Sequence, residues 1–243
     1  MRGPQNVSRM WLNSNRKNPE AFNNLGYVYE GMARYGCARQ DYRQASVLDP
    51  RNVETMLNLA KVLELEGNYH GAVKQYNKAI KHGPDNISPR FCLAVLYDNY
   101  DMFDEALEEY KGVLDKGPDH LKALLNMGNL YVQLGDNDQA VKLFKKVITQ
   151  YPDNADACNQ LSSVYKSDEN YAEASEAYKK VLSLNPFQEE AHMALAEAQY
   201  FQYRSRFNGV KKDEVMQRLD YLLAINPDNG KGKKLLKELI EDD

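Results

Sequence analysis

Only three cysteines and four histidines occur in 243 residues, and that scarcity removes several kinds of chemistry at the outset. Cys37, Cys92 and Cys158 lie far apart and are odd in number, which fits reduced packing thiols better than a disulfide framework. His70, His82, His120 and His192 have no cysteine or carboxylate partner at ligand spacing, so neither a metal site nor a cofactor is expected. Net charge is scarce too: 35 acidic against 31 basic residues leave −4, and no basic field exists to hold nucleic acid or an anionic membrane. No apolar run approaches the ~20 residues that span a bilayer, and the opening MRGPQNVSRMW has no apolar signal core. A cytoplasmic protein without membrane insertion is the expectation. Phosphate-cradling glycine loops are missing as well, and carboxylate pairs such as Glu108 and Glu109 fall on polar helix faces. The chain is therefore expected not to be an enzyme.

What the sequence does hold is a period. Pro50, Pro84, Pro118, Pro152 and Pro186 stand 34 residues apart each time, the mark of a repeat architecture. A frame starting at Pro19 and restarting at Val53, Ile87, Leu121, Ala155 and Glu189 gives five equal units and a sixth, whose closing Pro227 arrives seven residues late. Numbering slots within each unit, the eighth holds Gly26, Ala60, Ala94, Gly128, Ser162 and Ala196. The twentieth holds Ala38, Ala72, Ala106, Ala140, Ala174 and Val215. Bulky groups fill the twenty-fourth: Tyr42, Tyr76, Tyr110, Phe144, Tyr178 and Leu219. Small residues recur where two helices touch, and large ones supply the knobs. Spacings of three and four predict two helices per unit, broken at stretches such as EGNY and LGDND. Each unit is then a helical hairpin that cannot bury its apolar face alone, so six must stack into one core.

Leu-Gly at slots seven and eight, Tyr at eleven, Ala at twenty, an aromatic at twenty-four and Pro at thirty-two together resemble the tetratricopeptide repeat. The fold class this implies is all-α, a right-handed α-solenoid of helix-turn-helix repeats. The expected organisation is an N-terminal extension over 1–18, six repeats over 19–52, 53–86, 87–120, 121–154, 155–188 and 189–229, and a capping helix over 230–243. The seven extra residues in QYFQYRSRFNGVKKDE are two helical turns, which predicts longer helices flanking that turn.

The resemblance also implies where binding occurs: first helices line a concave groove and expose roughly slots two, five, six, nine, twelve and thirteen. Slot six carries Asn24, Asn58, Cys92, Asn126, Gln160 and Ala194, with Asn23 and Asn159 at slot five and Asn129 at slot nine. An amide both donates and accepts, so such a series suits the backbone of an extended peptide whatever its side chains. The arrangement is similar to the asparagine ladder in the tetratricopeptide arrays of O-linked N-acetylglucosamine transferase. Structural filling between helices is the competing role for these amides. Leu57, Phe91, Leu125 and Met193 would add apolar contacts, with Lys61 at slot nine. Glu20, Glu30, Glu54, Glu64, Asp98, Asp156, Glu190 and Glu197 outnumber Lys61, Lys122 and Lys166, favouring a partner with basic residues. The cations of the clamp that holds chaperone C-termini are missing from the matching slots. The expected function is a non-catalytic adaptor for a protein or peptide partner. The alternative is a structural subunit of a larger complex, docking through end aromatics such as Trp11, Tyr200, Phe201, Tyr203 and Phe207.

Overall fold

The computed structural model describes residues 17–205 and 209–241, and Trp11 and Phe207 lie outside them. The described residues form thirteen helices and no strand. First helices are α1 (Pro19–Gly31), α3 (Val53–Leu65), α5 (Ile87–Asn99), α7 (Leu121–Gln133), α9 (Ala155–Ser167) and α11 (Glu189–Arg204). Second helices are α2 (Tyr35–Leu48), α4 (Tyr69–His82), α6 (Phe103–Lys116), α8 (Asn137–Gln150), α10 (Tyr171–Leu184) and α12 (Lys212–Ile225), and α13 (Gly230–Glu241) follows.

Local chemistry sets both ends of each hairpin. Slot thirty-four is an asparagine at Asn18, Asn52, Asn86 and Asn154, and each side chain accepts a hydrogen bond from a first-turn backbone N–H of the next helix. His120 takes the same slot before α7, its Nδ1 accepting from the Ala123 N–H at 3.1 Å. These caps satisfy donors that a helix start leaves open. The turn inside each of the first five hairpins passes through positive φ at slot fifteen, occupied by Ala33, Gly67, Asp101, Gly135 and Glu169. Glycine adopts that conformation without the Cβ penalty, so three of the five turns carry a residue less suited to it.

The chain divides into two compact units at Ala123 and Leu124, inside α7. In the first, α1 pairs with α2, α3 with α4 and α5 with α6, while α2 packs on α3 and α4 on α5. Its core joins Ala38 and Tyr42 of α2 to Leu59, Ala60 and Val62 of α3, and these to Ala72, Tyr76, Leu93 and Leu96. Gly26 shows why small residues hold slot eight: a Cβ there would lie 2.7 Å from the Tyr42 ring.

In the second unit the same pattern joins Ala140 and Phe144 of α8 to Leu161 and Val164 of α9. A Cβ on Gly128 would lie 2.6 Å from Phe144 Cε1. The long turn lengthens one neighbour only: α11 has 16 residues against 13 in each earlier first helix, whereas α12 keeps the 14 of the other second helices. Extra length is accommodated on α11 because its Gln199 and Gln202 are buried, with Gln202 donating to the Tyr171 carbonyl and to Ser175 Oγ. Helix α13 lies against α12 and α11 through Leu239, which joins Val215, Leu219 and Leu222 in one cluster.

Candidate functional site

Slots five and six of neighbouring first helices meet in the first unit. Asn23 Oδ1 on α1 accepts from Thr55 Oγ1 and from Asn58 Nδ2 on α3, both at 3.3 Å. Asn58 is consequently half-buried and tied into the fold, while Asn24 is exposed. Leu57 is half-buried against the core cluster. Phe91 is also half-buried, its ring 4.9 Å from that of His120 and 6.2 Å from that of Tyr110, so part of its apolar surface is already used. Lys61 lies close enough to Cys92 to pull its thiol down, although burial is the larger influence and holds the thiol above its ordinary value.

In the second unit Leu125 packs against the α8–α9 cluster. Asn126, Asn129 and Asn159 are half-buried, and Gln160 is exposed. Asn129 stands apart, because its Oδ1 is buried and has no hydrogen-bond partner. A buried carbonyl oxygen without a donor costs roughly 1–3 kcal/mol. Further along, Glu190, Met193, Ala194 and Glu197, at slots two, five, six and nine of the sixth hairpin, line a hollow of about 240 Å³ with Lys166 and Lys231.

The acidic residues have structural partners that sequence reasoning missed. Tyr42, Tyr76 and Tyr110 at slot twenty-four donate to Glu30, Glu64 and Asp98 at slot twelve, at 2.8, 2.9 and 3.3 Å. Burial, with the facing carboxylate, pushes the Tyr42 and Tyr76 hydroxyls well above the usual tyrosine range. Asp98 is pushed up by burial, and the Tyr110 bond opposes that shift. In the fourth hairpin both partners are absent together: Phe144 faces a unit whose slot twelve is Val132. That paired change was visible in the repeat frame. Glu197 is ion-paired with Lys166. Glu20, Glu54, Asp156 and Glu190 stand in first turns, where carboxylates complement the helix dipole. The negative charge remains on these faces, but the fold accounts for where it sits.

No three His, Cys, Asp or Glu side chains among the described residues cluster to hold a metal. No helix among them is long and apolar enough to cross a membrane.

Stacked hairpins with small-to-large packing at fixed slots define a helical-repeat solenoid, a class that serves as an interaction scaffold. Tetratricopeptide repeat models match residues 16–87, 99–161 and 155–188, together about two thirds of the sequence. The chain belongs to the tetratricopeptide repeat family. No curated protein matches it. Among solved structures, the C-terminal part of a TPR repeat-containing protein from Cytophaga hutchinsonii is similar, with TM-score 0.81 and 17% identity over 95% of this chain and 92% of that one. YrrB, described as a TPR protein with an unusual peptide-binding site, gives TM-score 0.65 at 16% identity, covering 81% of this chain and 97% of that one. A chain of the APC/C hetero-tetramer Cut9-Hcn1 gives 0.56 at 18% identity, covering 96% of this chain and 45% of that one. At these identities the likeness shows the fold.

Proposed function

We propose that the protein is a non-catalytic adaptor that binds an extended peptide segment along its first-helix faces. Proteins of this family are typically non-catalytic and bind protein or peptide partners. The observation that carries the reading is that Asn24 and Gln160, the slot-six amides of α1 and α9, are exposed, and an amide can both donate to and accept from a peptide backbone. Half-buried Asn129 on α7 and Asn159 on α9 supply further backbone-directed groups. Leu57, Phe91 and Leu125 keep part of their surface for apolar contact. Lys61, with no ion pair among the described residues, suits a carbonyl or carboxylate of the bound segment. The hollow lined by slots two, five, six and nine of the sixth hairpin supports the same slot assignment in the second unit. The peptide-binding site named for YrrB is consistent with this use of the fold.

Asn58 is excluded from the test because its bond to Asn23 makes it part of the fold. Peptides selected from a random display library on the intact protein provide the probe. Asn24→Ala, Asn129→Ala and Asn159→Ala are each expected to weaken binding by roughly 0.5–1.5 kcal/mol, the net worth of one hydrogen bond. Calorimetry reads the affinity, and thermal unfolding runs in parallel. Folding should be unharmed, since alanine favours helix over asparagine and Asn129→Ala removes an unsatisfied group. Unchanged affinity in all three variants would assign the amides to structural filling and remove the main support for peptide binding.

A further inference from the structure

Two slots that feed the core of earlier hairpins turn polar together where the fifth hairpin meets the sixth. Slot eleven holds Tyr29, Leu63, Tyr97, Tyr131 and Tyr165 in the first five units and Gln199 in the sixth. Slot twenty-one, after Arg39 in the first unit, holds Val73, Leu107 and Val141, and then Ser175. The earlier residues are used for packing: Tyr29, Leu63, Val73 and Tyr97 join one apolar cluster, and Tyr131, Val141 and Tyr165 join another. Ser175 and Gln199 instead line one hollow of about 320 Å³, together with Gln202. A glutamine is slimmer than a tyrosine ring and a serine is shorter than a valine, so the hollow is room that the missing apolar groups leave.

Its floor is polar and buried, with Ser175, Gln199 and Gln202 only 3%, 7% and 6% exposed. Gln202 Nε2 spends both hydrogens, one on the Tyr171 carbonyl and one on Ser175 Oγ. Gln199 Oε1 is buried and has no hydrogen-bond partner. A buried carbonyl oxygen left in that state is unfavourable, so the hollow is short of a donor. Exposed Glu176 and Glu214 line it too, and Glu169 and Glu173 line an adjoining hollow of about 430 Å³ that shares Ala172 and Gln202. Glu176 is ion-paired with Lys179 at 2.7 Å, whereas Glu169, Glu173 and Glu214 form no ion pair among the described residues. Negative charge is therefore in excess.

We propose that this hollow binds an arginine side chain of a partner protein, its guanidinium donating to the Gln199 side-chain carbonyl while the carboxylates of Glu173 and Glu214 balance its charge. A guanidinium is all donors and no acceptor, which matches a floor whose own donors are already used. It is also less strongly hydrated than an ammonium and is planar, so it enters a partly closed hollow at lower cost than lysine. Gln199 and Gln202 stand at slots eleven and fourteen of α11, and the rest of the lining comes chiefly from second helices α10 and α12. These are not the slots of the proposed peptide path. The arginine site is separate from it and stands or falls by itself.

The blocked peptide acetyl-Gly-Arg-Gly-amide is the probe, titrated into the intact protein while the side-chain amide resonances of Gln199 and Gln202 are followed by nuclear magnetic resonance. Both are expected to shift and to saturate. The same peptide with citrulline, which keeps the shape of arginine and lacks its charge, should leave them in place, and the lysine peptide should bind more weakly. Gln199→Leu restores an apolar slot eleven, and the Gln202 shift should vanish. Glu214→Gln, an exposed change that leaves the floor intact, should weaken arginine-peptide binding about two- to fivefold. Gln44→Ala, on α2 in the other unit, should have no effect. Resonances that ignore the arginine peptide overturn the proposal and leave the hollow to water. Equal shifts with citrulline, or binding indifferent to both Gln199→Leu and Glu214→Gln, overturn it as well.

Discussion

Phe144→Ala is expected to destabilise the protein by about 3–5 kcal/mol, the range for removing a fully buried aromatic ring. The ring is completely inaccessible and contributes to a cluster with Ala140, Leu161 and Val164. It also lies against the backbone of Gly128, whose missing Cβ makes room for it. Refilling that space requires α7 and α8 to approach each other, which their own hairpin turn resists, so a cavity persists. Stability in a stacked array is a sum of unit and neighbour terms. Loss of amide-exchange protection should therefore concentrate in α7, α8 and α9, leaving α1 to α4 near their original values. Chemical denaturation gives the magnitude, and exchange gives the location. A loss spread evenly over all helices would contradict the repeat description of this core.

Leu239→Ala is expected to cost about 2–5 kcal/mol, read mainly as release of α13. Leu239 is fully buried at the slot that joins a first helix to the second helix before it, here Leu219 and Leu222 of α12. Leu235 and Leu236 pack half-buried on the same cluster and Tyr200 donates to Glu238 at 3.1 Å, but Leu239 is the one large side chain of α13 that is fully buried, and the pairs Lys234–Glu238 and Lys237–Glu241 lie at 3.7 Å on exposed surface. Exposed pairs of that kind contribute only about 0.2–1 kcal/mol. Once released, α13 leaves an apolar face of α12 in water, and terminal repeats need a polar outer face. Light scattering should then show concentration-dependent association beyond that of the unaltered protein. A variant that keeps α13 protected in amide exchange and scatters light as the unaltered protein does would remove the capping role from this helix.

The solenoid was readable from the chain because one contact is made six times: a small residue at slot eight meets a bulky one at slot twenty-four, and chance cannot hold that register. The same frame contains two further signals. Asn18, Asn52, Asn86 and Asn154 recur at slot thirty-four as helix caps, and the loss of an acid at Val132 accompanies the loss of a hydroxyl at Phe144. The amides were harder to read. Binding and filling call for the same residue type at slot six, and only geometry separates Asn58, bonded to Asn23, from Asn24, which is exposed. Helix lengths beside the long turn depended on how Gln199 and Gln202 are buried, a tertiary matter that periodicity does not carry.

Peptide binding along first-helix faces is tested most directly by the side-chain amide resonances of the protein, followed by nuclear magnetic resonance during titration with a selected peptide. Asn24, Asn129, Asn159 and Gln160 are predicted to shift, because their amides meet the peptide backbone. Gln44 and Asn77, exposed on second helices α2 and α4, are predicted to stay fixed. Shifts confined to Gln44, Asn77 and other second-helix amides, with Asn24, Asn129, Asn159 and Gln160 unmoved, would contradict the account.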